Sequence, residues 1–407
     1  MTDREHWLPL TAASVEAAHA MIKPYIHETP VLTSKTLNRI ASTPQAPEAL
    51  IGTPYEGQKP AHPRINFFFK CENYQRIGAF KARGAFFSVL RLIQTMGEEE
   101  VRRRGVITHS SGTLIYLCIH QHNMPRLTPL PLSAIGNHAQ ALSLAAQTLR
   151  IPAYIIMPSI STPSKIAGTQ ALGAKVIFSG STSDEREAVV AKVQEETGAI
   201  LVPPYDHPDT ILGQGTVGIE LERQVREFVS RDTDNGLSVH GAQGGDLDAV
   251  IVPTGGAGLT SGVATWFAGK KTAVFGSEPE FQGADDCRRG LQAGERVTAV
   301  KTLTIADGLR TPVGEIPWSV VSDPEKVRGV YSVTEEQIKS AMRLVLERMK
   351  VVIEPSAAVP LAVALYNEGF RAMVEKEGGE SGWDVGVVFS GGNTTVQSIV
   401  ELFGGVK

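Results

Sequence analysis

The sequence predicts an α/β fold built on parallel sheets. Short apolar runs recur through the chain, among them 153–157, 248–253 and 385–389, and helical stretches of about 10 to 15 residues separate them. Three runs lead into turns suited to close backbone approach: Thr108-His-Ser-Ser-Gly112, Pro253-Thr-Gly-Gly-Ala-Gly-Leu259 and Phe389-Ser-Gly-Gly-Asn393. At 407 residues and 42% hydrophobic, the chain can bury a sizeable core in two or three domains.

In order, residues 11–25 read as an amphipathic helix, capped by Thr11 or Ser14 and stopped by Pro24. An extended segment, 29–33, and a helical turn, 34–40, follow. Residues 42–64, with prolines at 44, 47, 54, 60 and 63, have no periodicity and read as a surface loop or mobile insert. A strand at 65–69 runs through a polar turn into a helix starting near Lys81. Glu98-Glu-Glu100 and Arg102-Arg-Arg104 offset each other as one solvated helix face. Strands are then expected at 105–109, 153–157, 175–178, 248–253, 272–275 and 385–389. Helices are expected at 139–149, 164–172, 184–197, 260–268, 334–349 and 356–367, with 231–247 a glycine-rich loop.

Charge excludes some partners. Thirty-nine basic and 43 acidic residues are interspersed, for a net charge of −4, so neither nucleic acid nor a membrane surface is expected. Three cysteines far apart (Cys71, Cys118, Cys287) fit a reducing compartment rather than a disulfide framework. With no secretory signal pattern at the start and no apolar run near 18 residues, the expectation is cytoplasmic.

Chemistry centres on Lys81. A lone lysine is most often a solvated surface residue. This one stands at the start of a helix, the unfavourable end of the dipole for a cation, between Phe80 and Ala82 and just before Gly84. A Schiff base with a carbonyl cofactor gives such a lysine a reason. The Pro253–Leu259 turn opens a helix, so its amides suit a phosphate. It is a poor dinucleotide fingerprint, because Ser261 stands where the third glycine belongs. Ser390 sits at a strand end where a hydroxyl can meet a ring nitrogen, although an ordinary polar turn reads the same way. The stretch 278–286 gathers four carboxylates, which suit a hard cation or a solvated acidic turn equally.

Taken together, these stretches resemble the fold-type II pyridoxal-phosphate enzymes, and among them the serine racemase and serine/threonine dehydratase (threo-3-hydroxyaspartate ammonia-lyase) branch. The resemblance runs from Thr29 to the end. It is carried by Gly78-Ala-Phe-Lys-Ala-Arg-Gly84, His109-Ser-Ser-Gly112, Asn137-His-Ala-Gln140, Gly213-Gln-Gly-Thr216, Thr254-Gly-Gly-Ala-Gly258, Ala284-Asp-Asp286, Ile305-Ala-Asp-Gly308, Ile353-Glu-Pro355 and Ser390-Gly-Gly-Asn393. It implies two open α/β domains with the cofactor, pyridoxal 5′-phosphate, in the cleft between them. Residues 1–102 plus 206–407 form the larger domain and 103–205 the smaller. It implies that Lys81 carries the cofactor and Phe80 backs its ring. Asn137 meets its phenolic oxygen, Ser390 its ring nitrogen, and Gly255, Gly256, Ala257, Gly258 and Leu259 hold its phosphate. Lys81 and Ser111 act as acid/base groups on opposite faces, and Arg186 and Tyr205 fall near the substrate pocket. Glu278, the Ala284 carbonyl and Asp286 match a Mg²⁺ or Ca²⁺ site, although the spacing is two residues longer here. The implied reaction is β-elimination from L-serine, L-threonine or 3-hydroxyaspartate to a keto acid and ammonia, with serine racemisation as the alternative. A homodimer and a small amino-acid substrate are the implied partners.

One stretch departs from that pattern. Residues 113–136, 24 in number, separate the serine loop from Asn137, which are continuous in the family. A functional lid and metal binding by Cys118, His120 and His122 compete as readings with an intron translated in frame. The clean junction favours the last, which transcript sequencing tests. The expectation is impaired cofactor binding or activity, up to a catalytically impaired isoform.

Overall fold

Runs of aromatic and β-branched residues with few polar breaks make strands that are covered on both faces. Ala249–Pro253 and Trp383–Phe389 are buried along their whole length, and Ile65–Cys71 nearly so. The computed structural model describes residues 7–109, 136–159, 163–180, 182–234 and 246–404. Ser111 and residues 113–135 lie outside the described residues, and with them the readings placed there.

Among the described residues the strands form two sheets. In the larger, the order is Val31–Leu32, Ile65–Cys71, Trp383–Phe389, Ala249–Pro253, Ala273–Pro279 and Gly329–Val333. Only the Val31–Leu32 edge is antiparallel. In the smaller, the order is Lys175–Ser179, Ala153–Pro158, Val106–His109 and Ile200–Leu201, all parallel. Parallel sheets need crossover segments that cover their faces, and the alternation with helices supplies them. At the centre of the larger sheet Val385 pairs with both Phe67 and Ala249, and Phe69 stacks on Phe389 with ring centroids 4.9 Å apart.

The structure corrects the element expectations in several places. The helix Pro208–Asp234, 27 residues long, is absent from those expectations, because Gly213, Gly215 and Gly218 break the pattern that marks a helix. Those glycines are contact points. A Cβ at Gly213 would lie 2.7 Å from the Arg83 carbonyl oxygen, and one at Gly215 would lie 2.6 Å from that of Gly262. The helix packs closely on Lys81–Met96 and Gly258–Phe267 only because those side chains are absent. Helices Asp286–Ala293, Glu315–Val321 and Glu368–Gly378 and strand Gly329–Val333 are further additions. The strand expected at 272–275 runs on to Pro279, which carries Glu278 on the sheet. The helix at 334–349 is α-helical over Glu335–Leu344 and closes in a π-turn at Val345–Met349. Residues 42–64 run over the surface as a mostly exposed loop with one short helical turn at Pro47–Leu50, anchored to the fold at a few points. Buried Arg371 donates to the carbonyls of Ala41, Thr43 and Ala61, and Leu50 and Ala61 are buried.

Candidate active site

The turn that precedes Lys81 is stitched to the turn that carries Ser390. Phe80 N donates to the Ser390 carbonyl at 3.0 Å, and Gly392 N donates to the Gly78 carbonyl at 2.9 Å. Gly78 has φ +72°, and a Cβ there would sit 2.6 Å from Asn393 Oδ1, so only glycine serves. From the opposite side a buried charge cluster pins the Lys81–Met96 helix. Arg83 Nε and Nη2 donate to Glu72 at 2.7 and 2.8 Å, and Nη1 and Nη2 donate to Glu220 at 2.8 and 2.7 Å. Lys70 Nζ donates to the same Glu220 at 2.7 Å, so two cations balance two carboxylates. The cluster joins the Ile65–Cys71 strand, the lysine helix and the long helix into one rigid support.

On that support the Lys81 amine lies in the cleft. It donates to the Pro204 carbonyl at 2.7 Å and stands 5.0 Å from the centroid of the Phe80 ring. Burial disfavours its ammonium form and pushes the amine down to about 7, against the pull of the Glu354 carboxylate toward the charged form. The side chain remains partly accessible from the cleft.

Lining the cleft with Lys81 are Phe80, Asn137, Tyr205, Glu354 and Ser390, together with the glycine turn. About 650 Å³ of space not filled by atoms, part of it open to solvent, lies between them. Along one end, the amides of Gly255, Gly256, Ala257, Gly258 and Leu259 have no hydrogen-bond partner among the described residues. Ala257 is held at φ +62°, which turns the chain into the Gly258–Phe267 helix. A ring of free amides at a helix start is a cradle for an anion such as phosphate. Ser390 is 3% exposed, and its hydroxyl likewise has no described partner. A buried amine, a phosphate cradle and an unpaired hydroxyl bordering one cleft fit pyridoxal 5′-phosphate.

Asn137 is positioned from two sides. Its Nδ2 donates to Glu354 Oε1 at 3.2 Å and Oε2 at 3.3 Å, and its Oδ1 accepts from Asn393 Nδ2 at 2.7 Å. Glu354 is thus a site residue that sequence reasoning missed. The stretch Ile353-Glu-Pro355 is part of the family resemblance, but the sequence alone assigns its acid no role. His138 beside it keeps a neutral ring. Burial, helped by the charge of Lys81, pushes it down to about 3. Tyr205 packs on the cradle, and a Cβ at Gly256 would lie 2.5 Å from its ring. Arg186 is buried on the Ser183–Thr197 helix and is not among the residues that line the cleft.

A second cluster lies behind the cradle. Glu278, fully buried, accepts from the amides of Cys287 and Arg288 at 2.9 Å each. Asp286 Oδ2 accepts from Val313 N at 3.1 Å, whereas its Oδ1 is buried with no partner among the described residues. Burial raises both carboxyls, Asp286 to about 7 and Glu278 well above its usual range, and for Glu278 the charge of Asp286 adds to it. Ala284 is buried beside them in sequence. Among the described residues no group of three or more carboxylate, histidine or cysteine side chains comes together to hold a metal ion, so these two carboxyls, one with an unpaired oxygen, are the side-chain donors a hard cation would find here.

The profile of the family described as "Pyridoxal-phosphate dependent enzyme" matches residues 119–391. The chain is 37% identical over 390 residues to a serine racemase of Arabidopsis thaliana, covering 96% of this chain and 95% of that protein. Among solved structures it is similar to maize serine racemase, with a TM-score of 0.74 at 34% identity, covering 96% of each chain. It is also similar to a T.th. threonine deaminase, with a TM-score of 0.68 at 32% identity, covering 95% of this chain and 99% of that one.

Proposed function

The chain belongs to the family of pyridoxal-phosphate dependent enzymes, and from that premise we propose that it removes the β-hydroxyl from L-serine, L-threonine or 3-hydroxyaspartate, giving a keto acid and ammonia. The observation that carries this reading is the Lys81 amine, pushed down to about 7 and lining one cleft with a phosphate cradle and a free serine hydroxyl. Bound there, pyridoxal 5′-phosphate supplies a conjugated ring that spreads negative charge developing at the substrate α-carbon.

Lys81 does the proton work. With its amine divided between charged and neutral forms at pH 7, Nζ can take the α-proton, and the partial pull of Glu354 keeps it able to hold that proton. Amides 255–259 hold the phosphate, and Phe80 backs the ring. Asn137, braced by Glu354 and Asn393, orients the phenolic oxygen. Ser390 meets the ring nitrogen with a neutral hydroxyl, which suits elimination, where the leaving group takes the electrons. Glu278, Asp286 and the Ala284 carbonyl are the groups that would hold Mg²⁺ or Ca²⁺. The working form is a cytoplasmic homodimer, and no described helix is long and apolar enough to cross a membrane.

Racemisation of serine is the second reading, favoured by relatives named serine racemase that match 96% of the chain. It assigns the opposite-face proton to Ser111. One assay tests both: purified protein with β-hydroxy amino acids of each configuration, with and without Mg²⁺, following keto acid and chirality together. Keto acid from the L-substrates supports elimination, D-serine supports racemisation, and neither product with any substrate refutes both.

A further inference from the structure

We infer that Asp206, which lies outside the set of cofactor-contacting residues, is a positioning residue for the phosphate cradle. Its carboxylate clamps the start of the Glu315–Val321 helix. Oδ2 accepts from Glu315 N and Oδ1 from Ile316 N, both at 2.9 Å. The preceding residue, Gly314, donates its N–H to the Gly256 carbonyl in the cradle at 3.3 Å. Residue 313, one step earlier, donates its amide to Asp286 at 3.1 Å and accepts from Arg296 Nη1 at 3.0 Å. Residues 311–316 therefore form a strap. Thr311 borders the cleft, Asp286 and Arg296 hold its middle, Gly314 grips the cradle, and Asp206 fixes its far end.

Asp206 also follows Tyr205, whose ring covers Gly256, so one dipeptide presses the cradle from above and secures the strap beside it. A bidentate carboxylate on two amides is a strong, geometrically defined contact. Gly314 completes the fit. A Cβ there would lie 2.7 Å from Asp206 Cγ, although the backbone at φ −66° accepts any residue.

The role predicts a phosphate-selective defect. Holding Gly256 in place orders the amides that face the phosphate, and it does not touch the groups that face the ring. The inference rests on the reading that residues 255–259 hold the cofactor phosphate, and the test separates the two. Cofactor-stripped full-length protein is titrated with pyridoxal 5′-phosphate and with pyridoxal, which lacks the phosphate, and binding is read by absorbance and fluorescence. Wild type should strongly prefer the phosphorylated form; equal affinity for both overturns the cradle reading itself. Given that preference, Asp206→Ala should weaken pyridoxal 5′-phosphate binding by about tenfold or more, the scale of one hydrogen bond to a charged group, and leave pyridoxal unchanged. Asp206→Asn, which keeps one acceptor, should lose less. Gly314→Ala displaces the strap with Asp206 intact and should show the same selective loss, which covers the case of a poorly folded Asp206 variant. Equal weakening of both ligands, or of neither, in Asp206→Ala and Gly314→Ala overturns the assignment.

Discussion

Replacing Glu354 with glutamine tests the electrostatics that make Lys81 reactive. The amine is pushed down to about 7, with burial as the larger cause and Glu354 opposing it. At pH 7 about half of such amines are uncharged, against fewer than about one in a thousand for an ordinary lysine. Glutamine keeps an acceptor for Asn137 Nδ2 and removes the negative charge, so the ammonium form loses its support and the midpoint must fall. An opposite charge in a shared cleft contributes on the order of one pH unit, or about 1.4 kcal/mol. The assay is pH-dependent acylation of cofactor-stripped protein, quantified at Lys81 by mass spectrometry. Wild type should titrate near 7 and Glu354→Gln about one unit lower. A wild-type midpoint near the usual 10.5, or a midpoint that rises in the variant, refutes the reasoning. Linkage gives a second check. The folded midpoint lies below the unfolded one, so the folded state binds fewer protons between about 7 and 10.5, and stability rises with pH across that window. At about 1.4 kcal/mol per pH unit the ceiling is about 5 kcal/mol, reduced by water that reaches the cleft. Lys81→Met should flatten the slope.

Further outcomes follow from the same geometry. Arg83→Met leaves Glu72 and Glu220 buried beside a single remaining cation, Lys70, and should cost about 3–5 kcal/mol in denaturant unfolding, whereas loss of an exposed pair such as Arg103–Glu100 should leave the unfolding midpoint nearly unchanged. Glu278 and Asp286 are raised in the folded state, so that state binds more protons between about 4 and 7, and cation-free protein should lose stability as pH rises through that range. Mg²⁺ should oppose the loss and Asp286→Asn should shrink it without abolishing it, because burial alone keeps Glu278 raised, as read by thermal melts. Gly256→Ala puts a methyl against the Tyr205 ring and should abolish tight binding of pyridoxal 5′-phosphate, measured by cofactor retention on dialysis.

The sequence made the centre of this site legible because its residues sit at strand ends. Lys81, the 253–259 turn and Ser390 each follow an apolar run, where hydrophobic pattern and glycine are strongest as signals. Glu354 escaped because a single acid before a proline and an alanine-rich helix looks like a helix cap. Only tertiary contact places it beside Asn137 and Lys81. The Pro208–Asp234 helix escaped for the opposite reason. Its glycines weaken local helix propensity and are kept for contacts with Lys81–Met96 and Gly258–Phe267 that no local window contains. Asp206 was equally silent, since its partners are the backbone amides of Glu315 and Ile316, far along the chain.

The central claim is that Lys81 carries the cofactor. Purified protein incubated with pyridoxal 5′-phosphate, reduced with borohydride and digested should yield one modified peptide, with the added mass on Lys81. Its visible absorbance should be lost on reduction and absent from the start in Lys81→Ala. A cofactor fixed to a different lysine, or no visible absorbance in the wild-type protein, would contradict the account.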